Sequence, residues 1–213
     1  EAGGQKARFV GGCVRDALLG RPIGDIDIAT PEPPERVVEL LHQRGIKAVP
    51  TGIEHGTVTA VARGKPFEIT TLRRDVETFG RHARVAFDAD WAEDARRRDF
   101  TMNALFLDAT GAVFDTVGGL EDLRAGRVRF VGDPETRIRE DVLRLLRFYR
   151  FHAHYGRGAA DEAARAACRR LAPLLPTLSA ERIAAELVKL LRAPDPVPTF
   201  RLMEEDGVLA AAL

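Results

Sequence analysis

The chain changes character at Asp133. Before it, short apolar runs rich in β-branched residues alternate with helix-like segments and glycine turns; after it, every stretch carries the apolar spacing of a helix. This division predicts an α+β fold, with a mixed β-sheet and helices in residues 1–132 and helices alone in 133–213. At 213 residues there is room for two small domains, and 45% hydrophobic with 30% charged residues is a globular composition. No run of apolar residues is long enough to span a membrane. Two cysteines, Cys13 and Cys168, make neither a disulfide framework nor a metal-ligand spacing, so a reducing cytoplasm is the expected compartment. The net charge of zero argues against nonspecific nucleic-acid binding. Arginines nevertheless cluster, at 96–98 and again at 137, 139, 144, 147 and 150, and such patches can hold phosphates on a neutral protein.

Along the chain, ARFV (7–10) reads as a buried strand broken by Gly11-Gly12, and VRDALLG as a short helix ending at Gly20. DIDIA alternates acidic and apolar residues, the signature of a strand with one charged face. Pro31, Pro33 and Pro34 open a helix that runs to about Arg44. IKAVP, GTVTAVA and FEITTL are strands, with Arg63-Gly64-Lys65 turning between the last two. Residues 73–92 show no clear period and read as a mobile loop of functional length. NALFLD and AVFD form a hairpin around Thr110-Gly111, GGLEDLRAG a helix and RVRFV a strand. Helices are expected over roughly 134–154, 160–171, 179–192 and 197–206, and the whole reads as the front part of a longer protein.

On a strand, residues i and i+2 share a face, so Asp25 and Asp27 present both carboxylates together, with Ile26 and Ile28 buried behind them. Like charges so close repel unless a cation sits between them. Hard oxygen ligands suit Mg²⁺, and paired Mg²⁺ ions serve phosphoryl transfer. Gly11-Gly12 lets the backbone approach a polyphosphate at the start of a helix, and Arg15 adds a charge-assisted phosphate contact. Further on, Asp141 and Arg144 stand three apart in a helical stretch, an acceptor beside a donor fork that can address a base edge. Taken from the residues alone, an ion-paired helix explains the same pattern. Trp91 can stack on a base or anchor the loop that carries it.

The run G-G-C-V-R-D-A-L-L-G followed by D-I-D-I-A-T closely resembles the head of the class II tRNA nucleotidyltransferase and bacterial poly(A) polymerase family, within the DNA polymerase β-like superfamily. R-R-D-F-T-M-N-A (97–104), the Asp115, Gly119, Asp122, Leu123 series and E-D-V-L-R (140–144) resemble further motifs of that family, in its order, and the likeness runs from about residue 8 to 192. The resemblance implies a catalytic head that binds Mg²⁺ through Asp25 and Asp27, with Glu68 or Asp99 as a third acid. It implies nucleotide contacts from Gly11, Gly12, Arg15, Arg98 and Asp99, and base selection by Asp141 and Arg144. Arg147 and Arg150 continue that series toward the triphosphate or the RNA. The Asp115–Leu123 element is expected to couple head to neck. The implied partners are CTP, ATP and the tRNA 3′ end, and the implied reaction is CCA addition with release of pyrophosphate. A poly(A) polymerase, a CC-only or A-only enzyme, and a silent RNA- or nucleotide-binding domain are the alternatives. The length of 73–92 favours CCA over CC-only addition, and the number of subunits is not set by the sequence.

Overall fold

Short β-branched runs separated by glycines leave the first half of the chain with strands that must pair with distant partners. The computed structural model, which describes residues 6–79, 82–87 and 90–213, shows how they do so. In chain order the elements are β1 (Arg8–Val10), α1 (Gly12–Leu18), β2 (Asp27–Thr30), α2 (Pro34–Gln43), β3 (Lys47–Gly52), β4 (Thr57–Ala62), β5 (Lys65–Thr71), β6 (Arg73–Phe79), β7 (His82–Phe87), α3 (Trp91–Arg96), β8 (Phe106–Leu107), β9 (Val113–Phe114) and α4 (Gly119–Ala125). Six helices follow: α5 (Pro134–Glu140), α6 (Leu143–Tyr155), α7 (Glu162–Leu171), α8 (Ala180–Leu191), α9 (Val197–Glu205) and α10 (Val208–Ala212). None is long and apolar enough to cross a membrane.

The chain divides into two units. One is built from Glu1–Glu77, Ala83–Arg98 and Met102–Gly119, the other from Thr78–His82, Asp99–Thr101 and Leu120–Leu213. The first holds a mixed sheet in the order β3-β4-β5-β2-β1-β8-β9. All its pairs are antiparallel except β2 with β5, where Asp27 stands opposite Glu68. Val10, Val14, Ala29, Val58, Leu72, Met102, Leu105 and Phe106 form its buried core. The expected hairpin turns at Arg63-Gly64, both with positive φ, and at Gly111 are present.

In the second unit, Phe100 packs against Phe130 and Phe151 with tilted rings, each with centroids 4.9 Å apart. α5 begins as expected: Asp133 accepts from the Thr136 N–H at 2.9 Å and Pro134 fills the first turn. Asp206 is buried, yet it accepts from Tyr149 at 2.8 Å, from Arg165 at 2.7 Å and from Arg169 at 2.9 Å. Burial alone raises its pKa; the bonds from Arg165, Arg169 and Tyr149 outweigh it and leave it below the usual aspartate range. A depressed carboxyl contributes stability that is full above its unfolded pKa and is lost as pH falls through the folded value. Asp206→Asn is therefore expected to cost about 2–3 kcal/mol at neutral pH and to flatten the acid limb of the stability curve, as read by urea unfolding between pH 3 and 7.

Three expectations are corrected. Residues 73–92 are not a loop: β6 and β7 pair as a separate two-stranded sheet, and Trp91 opens α3. The alternation Ala83, Val85, Phe87 was present in the sequence but was blurred by the apolar Ala86 between the last two. The helix expected over 134–154 breaks at Asp141, whose backbone is extended (φ −148°, ψ 106°). RVRFV contributes one bridge, Phe130 to Phe100, and no strand.

Candidate active site

The β1–β2 register sets Val10 opposite Asp27 and so delivers the following glycine turn to that acid. Gly11 has φ +76°, and a β-carbon added there would stand 3.5 Å from Arg98 Nη1 and 4.0 Å from Asp27 Oδ2. Glycine is favoured here by the backbone conformation, since a β-carbon would meet these groups only at ordinary contact distance. The Gly11 N–H donates to the Leu105 carbonyl at 3.3 Å, so this amide is engaged within the protein. The Cys13 thiol faces the Val10 carbonyl at 3.2 Å and acts as a small filler beneath the turn.

The acid pair differs from the expected arrangement. Only Asp27 is in β2; Asp25 lies in the bend before it and is exposed, and Ile26 and Ile28 are half-buried rather than buried. β2 begins only at Asp27 because its partner β1 ends at Val10, where the glycine turn starts. The two carboxylates still sense each other. Burial raises the Asp27 pKa, Asp25 raises it further, and Arg98 partly opposes both. Among the described residues, no three His, Cys, Asp or Glu side chains come together closely enough to hold a metal ion. Glu68 stands beside Asp27 in register but is exposed and has no hydrogen-bond or ion-pair partner among the described residues. Two mutually repelling carboxylates with room for further ligands fit Mg²⁺, which binds through one or two acids together with substrate phosphates and water.

Arg98 is set by a residue that the sequence reading missed. Asp94, 1% exposed, accepts from Arg98 at 2.9 Å through one oxygen and from Arg97 at 2.6 Å through the other. Burial pushes this carboxyl up, but Arg98 and Arg97 together hold it below the usual range. The signal was available as i+3 and i+4 spacing on a helix. Arg15, expected on a phosphate, is buried and donates to Asn103 at 2.7 Å and to Asp16 at 2.8 Å.

In the second unit, the remaining candidates are held by carboxylates. Asp99 accepts from Arg147 Nε at 2.9 Å and from the Phe100 N–H at 2.8 Å, so both its oxygens are engaged. Arg150 donates to Glu186 at 2.6 Å. Asp141 ends α5, accepts from the Leu143 N–H at 3.2 Å and pairs with Arg182 of α8 at 3.0 Å. Arg144 lies in α6 and donates to Glu140 at 2.6 Å and to the Arg137 carbonyl at 3.1 Å. Asp141 and Arg144 therefore do not share one helix, although the Arg144 N–H still reaches the Asp141 carbonyl at 2.9 Å. Asp122, fully buried, gathers Thr101 at 2.6 Å, Arg127 at 3.0 Å and Arg129 at 2.9 Å.

The arrangement of the glycine turn, the acids and the arginine is accompanied by a match over residues 7–129 to the family described as "Poly A polymerase head domain". The chain belongs to that family. Residues 160–213 match a second family, described as "Probable RNA and SrmB- binding site of polymerase A". The chain is 43% identical to a CCA-adding enzyme of Geobacillus stearothermophilus, over 97% of this chain and 50% of that protein. It is 46% identical to the mitochondrial CCA tRNA nucleotidyltransferase 1 of Homo sapiens, over 86% of this chain and 43% of that protein. Its fold is similar to the crystal structure of the Bacillus stearothermophilus CCA-adding enzyme in complex with CTP, with a TM-score of 0.85 and 42% identity over 95% of this chain and 48% of that one. A tRNA nucleotidyltransferase complexed with a primer tRNA and an incoming ATP analog is similar at a TM-score of 0.79 and 27% identity, over 98% of this chain and 59% of that one. The chain spans about half the length of the curated relatives it matches. The expected fold class and family are both found.

Proposed function

We propose that this chain carries the nucleotidyl-transfer and base-selecting parts of a CCA-adding enzyme, with residues 1–132 as catalytic head and 133–213 as neck and the start of a helical body. The observation that carries the reading is the convergence of Asp27 and Arg98 on the Gly11 turn. In the reaction, the 3′-hydroxyl of a tRNA gives up its proton to solvent as its oxygen bonds to the α-phosphorus of CTP or ATP, the bond from that phosphorus to the bridging oxygen breaks, and pyrophosphate leaves. Asp25 and Asp27 would hold Mg²⁺, which when bound supplies charge stabilisation and lowers the pKa of the attacking hydroxyl. Arg98, fixed by Asp94, offers a guanidinium to the phosphates. The Gly11 turn keeps side chains out of the space the triphosphate needs. Asp141 and Arg144 present an acceptor and a donor suited to the amino-bearing edges of C and A. Glu68 is the better-placed third acid, because Asp99 is already bonded to Arg147.

The direct test is incubation of the protein with Mg²⁺, tRNA lacking its terminal CCA, and each nucleotide alone and together. CCA completion requiring both CTP and ATP supports the reading. Extension of generic RNA by ATP alone means a poly(A) polymerase, CTP-only or ATP-only addition means a partial enzyme, and no incorporation means a silent domain. Asp141→Ala is expected to reduce discrimination of CTP against UTP by about tenfold to a hundredfold, in line with the worth of one base-edge contact, with the pyrophosphate release rate as readout.

A further inference from the structure

Arg8 of β1 is nine-tenths buried (9% exposed), and its Nε has no hydrogen-bond partner. Its guanidinium carbon lies 3.6 Å from the centroid of the Phe114 ring and 4.1 Å from that of Trp91, so the cation is stacked against two rings. Burying a cation with an unmatched N–H is costly, and contact with aromatic faces offsets only part of that cost. Burial pulls the Arg8 pKa down, with the Asp108 charge opposing it.

Trp91 is the first residue of α3. The indole meets Phe106 edge to face, with centroids 5.1 Å apart and planes at 84°. Phe106 in turn carries the Arg98 guanidinium 5.6 Å from its centroid. Phe114, Arg8, Trp91, Phe106 and Arg98 thus form one ladder of rings and cations, ending on the arginine beside Gly11 and Asp27. α3 has six residues, too few for its own backbone bonds to fix it. Trp91 anchors this helix together with the buried Asp94 and Ala95, so its seat bears on where Asp94 and Arg98 stand.

We propose that Arg8 is a positioning residue for the incoming nucleotide: by stacking on Trp91 it sets α3 and, through α3, the Arg98 guanidinium beside Asp27. The inference rests on the reading of Arg98 as a triphosphate ligand. Trp91 is the single tryptophan of the chain, so its emission reports the ladder directly.

The test compares the unaltered chain with Arg8→Met and Arg8→Lys, measuring CTP affinity by calorimetry in Mg²⁺, thermal unfolding, and Trp91 emission. Arg8→Met replaces a buried cation by an apolar side chain of similar reach, so it is expected to unfold at or above the original temperature. It should bind CTP about fivefold to tenfold more weakly and shift the Trp91 emission, as loss of a desolvated cation–π contact implies. Arg8→Lys keeps a charge over the ring and should stay within about twofold of the original affinity. Equal CTP affinity in the unaltered chain and Arg8→Met overturns the inference while leaving the nucleotide site standing. So does weaker binding that comes with a lowered unfolding temperature, which marks a merely structural part. An unaltered chain that binds no CTP overturns the nucleotide-site reading and this inference together.

Discussion

Asp27→Asn lowers nucleotide incorporation by about a thousandfold or more, the scale expected when a charge that organises the transition state is removed. The geometry makes Asp27 the more exacting member of the acid pair: it is locked into β2 opposite Val10 and Glu68, whereas Asp25 is exposed in the preceding bend. The same exchange should not unfold the protein. Burial and Asp25 raise the Asp27 pKa against the pull of Arg98. A raised carboxyl binds more protons folded than unfolded between the ordinary value and the folded one, so its contribution to stability falls as pH rises through that window. At neutral pH without divalent cation the ionised Asp27 therefore opposes folding, and Asn relieves it. Thermal unfolding in a chelating buffer should show Asp27→Asn equal to or more stable than the original, with the added stabilisation by Mg²⁺ lost. A variant that incorporates CTP at the original rate would remove Asp27 from the chemistry.

Asp94→Ala is expected to be the most destabilising exchange in the first unit. It leaves the Arg97 and Arg98 side chains, 17% and 19% exposed, without the carboxylate both share. Removing the carboxylate that two largely buried charges share costs about 3–5 kcal/mol. For a chain of this length that is a drop in unfolding temperature of roughly 6–20 °C. CTP binding should fall with it, because Arg98 loses its anchor. A second substitution separates the two effects: Asp94→Ala with Arg97→Ala removes one of the two charges that shared the carboxylate and should recover part of the stability, yet CTP binding stays weak. Recovery of binding in the double variant would show that Asp94 acts on Arg97 alone.

Much of the fold was legible because it is written locally. The strand, glycine turn and short helix of residues 8–18, the Arg63-Gly64 hairpin and the Asp133-Pro134 helix start all follow from spacing and turn chemistry, and each is present. The break at Asp141 was not legible: the apolar spacing of E-D-V-L-R-L-L runs straight through it. The break goes with Asp141 bonding to the Leu143 N–H and to Arg182, a partner 41 residues further on. Arg15, Arg147 and Arg150 were read as ligand-facing for the same reason. Their carboxylate or amide partners include Asn103, Asp99 and Glu186, at 88, 48 and 36 residues of separation. Asp94 went unread as a functional residue: its spacing to Arg97 and Arg98 offers the pairing, but its burial, which gives that pairing its worth, is not reported by spacing.

The sequence by itself determined the strand, glycine turn and helix of residues 8–18, the glycine turn ahead of the acid pair, and the family motifs, since these depend on backbone preference and periodicity between near neighbours. Only the tertiary structure decided which charged side chains are bound to one another and which face the Gly11 turn. Ion pairing follows distance through space, and the β1–β2 register and the folding of α8 against α6 set those distances for residues far apart in the chain.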